Sequence, residues 1–421
     1  MNEREAAWLV LQRVEKQGGY ASLLLERHND FVRHLVLGVL RWRGRLDAIA
    51  AHLANRTVAQ IDQPALQLLR IGLYQIAFMN VPDHAAVSET MSAASAVAPR
   101  AKPFINAILR RATRANVLDY DPPWESEAQR LAFRYAHPLW MVERWVVEYG
   151  AERTERIVAA NQQLSHPDLL VNTRKITMEQ GEAALAELGV PFERSTLAQG
   201  GFRLRGSTRP LAAEISGGLF YPMDEASIAV AALLVGRGQR ILDIAAAPGG
   251  KSLVLALSGA RVTSHDISIR RTAPLRASHR RFFGRDASIV VGDARSPAFR
   301  RGAFDTVLID APCSATGTIR KSPEIKWRLQ PEQLAPFAAL QERILSAAAA
   351  LEPQEIFYAT CSLEREENDE VIESADLSGY RRRDLAEIAP AALHPWISDG
   401  MLRLAPDSGA DGFTAAWLAR G

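Results

Sequence analysis

Cysteine is almost absent: Cys313 and Cys361 are the only two in 421 residues, with no Cys-x-x-Cys and no matching histidine pair. This argues against a disulfide framework and against structural zinc, so no metal is expected and the thiols are left for packing or thiol chemistry. A surplus of one charge is missing too, since 50 Lys and Arg face 48 Asp and Glu for a net charge of +2. A polyanionic partner must then be met by local basic patches. No apolar run approaches a membrane span, and Met1-Asn2-Glu3-Arg4-Glu5 carries acids where a secretory signal is basic. A cytoplasmic, membrane-free protein is expected. No internal repeat occurs, and the one low-complexity tract, Ala347 to Ala350, is good helix material.

The length suits two or three domains. From Glu5 to about Arg114 apolar residues recur at three and four residues (Ala6, Val10, Val14; Leu66, Leu69, Leu73, Ile76), which predicts an all-α domain over about 1–120. Two basic stretches lie there, one with Arg41, Trp42, Arg43 and Arg45, the other with Arg110, Arg111 and Arg114. Guanidinium groups and an indole in such stretches suit phosphates and a stacked base, while solvated helix ends are the ordinary alternative. Asp119 to Trp124 reads as a linker and His137-Pro138-Leu139-Trp140 as a helix start. Short strands near Leu169–Asn172 and Phe202–Leu204 around a helix at Thr177–Leu188 make 121–215 linker helices plus a small α+β module. From 216 to 421 strands alternate with helices: Arg240–Ile244, Arg261–His265, Ser288–Val291, Phe304–Ile309 and Glu355–Ala359. That alternation predicts an α/β domain with a mostly parallel sheet, helices on both faces and right-handed crossovers.

Two of these strands empty into loops bearing the thiols, at Asp310-Ala311-Pro312-Cys313-Ser314 and at Thr360-Cys361-Ser362. Strand ends are where open α/β sheets bind ligands, although a buried capping acid beside an inert cysteine is the plainer reading of either loop alone. The first strand runs through Asp243 into Ala245-Ala246-Ala247-Pro248-Gly249-Gly250-Lys251, a small-residue turn before a helix. It is neither Gly-x-Gly-x-x-Gly nor a Walker sequence, which disfavours a dinucleotide or a triphosphate. With Asp266, Asp293 and Asp310 at later strand ends, the acids are better explained together by a nucleoside-containing cofactor than singly as turn or cap residues.

At this point Asp243–Lys251, Asp310–Ser314, Lys321-Ser322-Pro323-Glu324-Ile325-Lys326-Trp327 and Tyr358–Ser362 resemble the signature of the bacterial RNA cytosine-5 methyltransferases. The resemblance covers nearly the whole chain and is strongest to the small-subunit ribosomal RNA methyltransferase B (Sun/Fmu) group. Arg70–Gln75, His84–Val87 and Asn106–Arg110 resemble its NusB-like RNA-binding domain, and Arg403–Ala405 with Asp411–Phe413 its last strand pair. The departures are Met223 for Gln, Ala245 for Cys, Ala315 for Gly, Ser322 for His and Thr414 for Phe. None removes a residue with an assigned chemical role.

The resemblance implies a Rossmann-like fold that transfers a methyl group from S-adenosylmethionine to C5 of a cytosine in 16S ribosomal RNA. It implies Cys361 as the nucleophile at C6, Cys313 as the thiol that helps eliminate the adduct, and Asp310 at the base near N3. Ala245, Ala246, Ala247, Pro248, Gly249, Gly250 and Lys251 would form the cofactor loop, with Asp266 at the ribose, Asp293 near the adenine and Asp310 beside them. The target base must leave its stack, and Arg320, Lys321, Lys326 and Trp327 are placed to hold the displaced strand. A monomer is expected. Transfer RNA as substrate, and a NusB-like RNA-binding factor without turnover, are the alternatives; retention of both thiols and all four acids speaks against the second.

Overall fold

The helical spacing of the N-terminal third folds into helices at Glu3–Gln17, Asp30–Ala54, Gln63–Phe78, Asp83–Val97 and Lys102–Ala112. Side chains expected on their apolar stripes, among them Val10, Val14, Leu66, Leu69 and Leu73, meet in one buried cluster. Each such burial contributes about 1.5–3 kcal/mol, more than helix propensity supplies. Asn2 and Asn29 cap the first two long helices by accepting from Glu5 N at 2.8 Å and Val32 N at 3.0 Å. Arg70 lies inside the unit, satisfied by Asp47 at 2.5 and 2.8 Å and by Glu15 at 2.7 Å.

The computed structural model describes residues 2–421, and contacts divide the chain into two units. The first runs to Gln163, taking in the helices Glu127–Arg134, Leu139–Tyr149 and Ala151–Asn161, and adds the distant segment Ile319–Pro331. Among the described residues no helix is long and apolar enough to cross a membrane.

The second unit, Leu164–Thr318 with Glu332–Gly421, holds two sheets. Strands β1 (Asp168–Val171), β2 (Phe192–Arg194), β3 (Gly201–Leu204) and β4 (Phe220–Pro222) form an antiparallel sheet in the order β2-β3-β1-β4, packed on the helix Met178–Glu187 through Val171, Leu185, Phe202 and Phe220. The larger sheet has β5 (Arg240–Ile244), β6 (Arg261–Asp266), β7 (Ser288–Val291), β8 (Thr306–Asp310) and β9 (Glu355–Thr360) running parallel in the order β7-β6-β5-β8-β9. Beyond β9 it turns antiparallel, with β10 (Tyr380–Arg383), β11 (Ile397–Ser398), β12 (Met401–Leu404) and β13 (Phe413–Arg420). The sheet is therefore mixed, and in its antiparallel part β11–β12 and β12–β13 are joined by short connections that only antiparallel pairing permits.

Strand residues alternate between two cores. Ile241, Leu308, Phe357 and Ala359 face the helices Glu225–Ala232 and Gly250–Leu257, while Leu242, Ile244, Val307, Ile309, Ile356 and Tyr358 face Leu334–Ala349. Helices thus cover both faces, and every parallel strand ends at the same edge of the sheet.

Candidate active site

Strand β5 is the point where the strand order reverses, since the chain proceeds to β6 and β7 on one side and to β8 and β9 on the other. Its terminal residues therefore have a strand end on each flank. Ala245 leaves the strand with φ +59° and Gly249 enters the next helix with φ +108°, both in the left-handed region. Ala246 N donates to His265 O at 3.0 Å, and Ala247 N to the Asp266 carboxylate at 3.3 Å. A side chain at Gly250 would come within 2.8 Å of Met223 Sδ, so Met223, one of the departures, lies against the turn itself.

The four acids have separate environments. Asp243 is fully buried, accepts from Ser252 Oγ at 2.5 Å, and has its pKa pushed up to about 7, first by burial and then by Asp310 and Asp266. Asp266 is buried and accepts from Ala247 N and, at 2.9 Å, from Ser268 N. Asp293 is part-exposed and forked by Arg295 at 2.6 to 2.9 Å, which holds it down to about 2. Asp310 is paired with Lys251 Nζ at 2.8 Å, and that ammonium lies 4.7 Å from the Phe413 ring centroid.

The thiols meet. Cys313 Sγ and Cys361 Sγ are 3.3 Å apart at the ends of neighbouring strands β8 and β9. Gly317 N donates to Cys361 O at 2.9 Å and Leu363 N to Thr316 Oγ1 at 2.9 Å, so the two turns are stitched together on either side of the pair. The hydrogen bond to Cys361 and burial raise the Cys313 thiol well above its ordinary range. Both causes favour the protonated form of Cys313 beside the Cys361 sulfur.

The chain matches known proteins along most of its length. Residues 230–419 match the family described as 16S rRNA methyltransferase RsmB/F, residues 1–114 the NusB family, and residues 137–209 a ferredoxin-like domain of RsmF/B-like methyltransferases. The ribosomal RNA small subunit methyltransferase B of Pseudomonas syringae is 34% identical over 94% of this chain and 90% of its own. The chain belongs to the ribosomal RNA small subunit methyltransferase B family. The probable member from Bacillus subtilis is 30% identical, with 97% of each chain covered. The crystal structure of PH0851 shares the fold, with a TM-score of 0.81 at 22% identity over 100% of this chain and 99% of its own. A methyltransferase homolog from Pyrococcus horikoshii superposes at 0.59 with 24% identity, over 71% of this chain and all of its own. The NusB domain, the small α+β module as a ferredoxin-like domain, and the methyltransferase domain are those expected from the sequence.

The residues of this methyltransferase fit a nucleoside cofactor. Asp243 Oδ1 is buried without a hydrogen-bond partner, and Asp266 has acceptor positions beyond the two backbone donors it binds. Among the described residues no group of three His, Cys, Asp or Glu is arranged to hold a metal ion.

The basic residues divide sharply. Arg110 and Arg111 are exposed, anchored only by Asn106 Oδ1 at 3.2 Å and Leu53 O at 2.9 Å. Half-buried Arg43 pairs with Glu15 at 3.4 Å, and Arg45 donates to Leu118 O at 2.7 Å. Arg41, Arg320 and Lys326 correct the expectation of phosphate contacts, because all three are buried within the first unit. Arg41 Nη2 donates to Arg320 O at 2.9 Å, and Lys326, 0% exposed, donates to Arg41 O at 2.8 Å. Trp327 is likewise no open stacking platform: its Nε1 donates to Leu40 O at 2.5 Å, and its ring lies where a side chain at Gly44 would stand, 2.9 Å away. Lys321 remains partly exposed.

Sequence reasoning passed over Glu367, Gln341 and Asn368, which hold the thiol turns. The acidic run Glu364-Arg365-Glu366-Glu367-Asn368, one residue after Cys361-Ser362, is the signal in the sequence. Of the departures, Thr414 Oγ1 donates to Ser362 O at 3.3 Å, Ala315 takes φ +61°, and Ser322 O accepts from Ile325 N at 3.1 Å.

Proposed function

We propose that this chain methylates C5 of a cytosine in 16S ribosomal RNA, using S-adenosylmethionine and a covalent adduct between Cys361 and C6. The observation that carries the reading is the approach of the two thiols to 3.3 Å at the ends of neighbouring strands, the first of which ends in Asp310, paired with Lys251. Cytosine C5 is a weak nucleophile until a thiolate adds at C6, so one cysteine must attack. Cys313, whose protonated form is favoured by burial and by its neighbour, suits the other task, assisting elimination of the adduct. Asp310, fixed by Lys251, is the acid to hold the base near N3 so that C6 becomes electrophilic. S-adenosylmethionine, when bound, supplies the sulfonium methyl that C5 takes. Residues 245–251, Asp266 and Asp293 would hold it, and Arg110 and Arg111 are the exposed residues suited to RNA phosphates. Mass mapping of 5-methylcytidine in ribosomal and transfer RNA from a strain lacking the gene should show one ribosomal site unmodified. Loss in transfer RNA alone would reassign the substrate, and no loss in either would remove the activity.

A further inference from the structure

Both cysteines are followed by a serine, and both serines bind one buried carboxylate. Glu367, 0% exposed, accepts on Oε1 from Ser314 N at 2.8 Å and Gln341 Nε2 at 2.9 Å, and on Oε2 from Ser362 Oγ at 2.5 Å and from Ser314 Oγ. An ionised carboxylate has about four acceptor positions, and four donors occupy them here. The same Gln341 Nε2 also donates to Pro312 O at 2.9 Å, while Tyr358 OH donates to Glu367 O at 2.6 Å. Next along the chain, Asn368 Nδ2 donates to Ser362 O at 3.1 Å and its Oδ1 accepts from Thr360 Oγ1 at 2.6 Å. The backbone on both sides of Cys313, and the residues on both sides of Cys361, therefore hang on the Glu367–Asn368 pair and its partner Gln341. Elsewhere a buried carboxylate is an expense; this one is saturated and touches neither thiol, so its effect is geometric.

We propose that Glu367 is a positioning residue that sets the separation and orientation of Cys313 and Cys361 for addition and elimination. The inference rests on the reading of the two thiols given above. Glu367→Gln keeps the shape but turns one acceptor into a donor facing donors, which splays the Ser314 and Ser362 turns apart.

The test measures geometry and turnover separately in the full-length protein. With diamide as oxidant, two S–H groups give one S–S bond while the azo group takes up both protons and both electrons to become a hydrazine. The Sγ atoms must close from 3.3 Å to about 2.05 Å, so the closure rate reads their juxtaposition without RNA or cofactor. For Glu367→Gln we expect closure to slow at least about tenfold and kcat to fall about a hundredfold, the scale of a misplacement near 1 Å, with KM for RNA and cofactor affinity within twofold of the parent. Glu367→Asp should recover part of both rates. Gln341→Met, which removes one donor and leaves the carboxylate, should shift both in the same direction and serves if Glu367→Gln does not fold. Unchanged closure together with unchanged kcat in a folded variant overturns the inference. If the parent itself shows no methyl transfer, the function reading fails, yet the closure rates still decide the role of Glu367.

Discussion

The strand ends of the second unit and the basic segments of the first carry equally plain signals in the sequence, and the fold treats them differently. At the strand ends Cys313 and Cys361 come together because they follow neighbouring parallel strands, the first of which ends in Asp310. In the helical unit Arg41, Arg320 and Lys326 turn inward and bind backbone carbonyls or one another's segments, leaving Arg110 and Arg111 outside. The difference teaches that a motif tied to backbone geometry announces its position, whereas a charged residue announces only its charge. Lysine and arginine carry long apolar stems that pack well once the head group finds a carbonyl.

The sharpest test on the strand-end side separates the thiols. Cys361→Ser should abolish both methylation and the RNA adduct, because a hydroxyl is too weakly acidic to add at C6. Cys313→Ser should let an adduct stable to denaturing electrophoresis accumulate while turnover falls. An adduct that appears in the first variant and vanishes in the second would exchange their roles.

The comparison itself breaks if the basic residues behave alike. Lys326→Ala should lower the unfolding free energy by about 2 kcal/mol in urea, by losing buried packing and leaving Arg41 O unpaired, while Lys326→Met should lose less. Replacing Arg110 and Arg111 together by Ala should leave unfolding unchanged and flatten the salt dependence of RNA affinity, by a slope of about 0.7 for each lost single-strand phosphate contact. A stable Lys326→Ala protein with a flattened salt slope would erase the distinction.

Asp266→Ala should weaken S-adenosylmethionine binding by about 1.5–3 kcal/mol in calorimetry, through the lost charged acceptor and the freed Ala247 and Ser268 amides. Unchanged affinity in a folded variant would remove Asp266 from the cofactor site.

The smallest effect is a pH trend in Asp243. Its folded pKa of about 7 lies above the ordinary value of 3.8, so the folded state holds a proton that the unfolded chain releases. Its contribution to stability is present below the unfolded pKa and is lost as pH rises through about 7. The melting temperature of Asp243→Asn relative to the parent, both without cofactor, should therefore rise between pH 5 and pH 8; a flat difference would mean that Asp243 is ionised throughout.

Much of the large sheet was legible because its strands are short β-branched runs ending in Gly, Pro or acid. Arg240–Ile244 and Ser288–Val291 fall where alternation puts them, and Glu355–Thr360 and Thr306–Asp310 shift by only one or two residues at an end. Strand β10 was not legible: Tyr380-Arg381-Arg382-Arg383 has no apolar alternation, since it is an edge strand with exposed side chains. The thiols and acids were visible as residues, but their 3.3 Å meeting depends on Glu367 and Gln341, whose sequence neighbourhood looks like an ordinary acidic turn and an ordinary helix. Neither Trp327 filling the space at Gly44 nor the burial of Lys326 has any local signal, because the partners lie about 285 residues apart in sequence.

That separation bears on how the protein is made. The helical unit is encoded up to Gln163 but takes in Ile319–Pro331, so Gly44, Leu40 and Arg41 emerge from the ribosome long before Trp327 and Lys326 exist. About 155 residues separate the two pieces, roughly 8 to 31 seconds of synthesis at about 5–20 residues per second. Through that interval the first unit stands with part of its interior open, and it becomes complete only after the strand bearing Asp310 and the Cys313 turn has been translated.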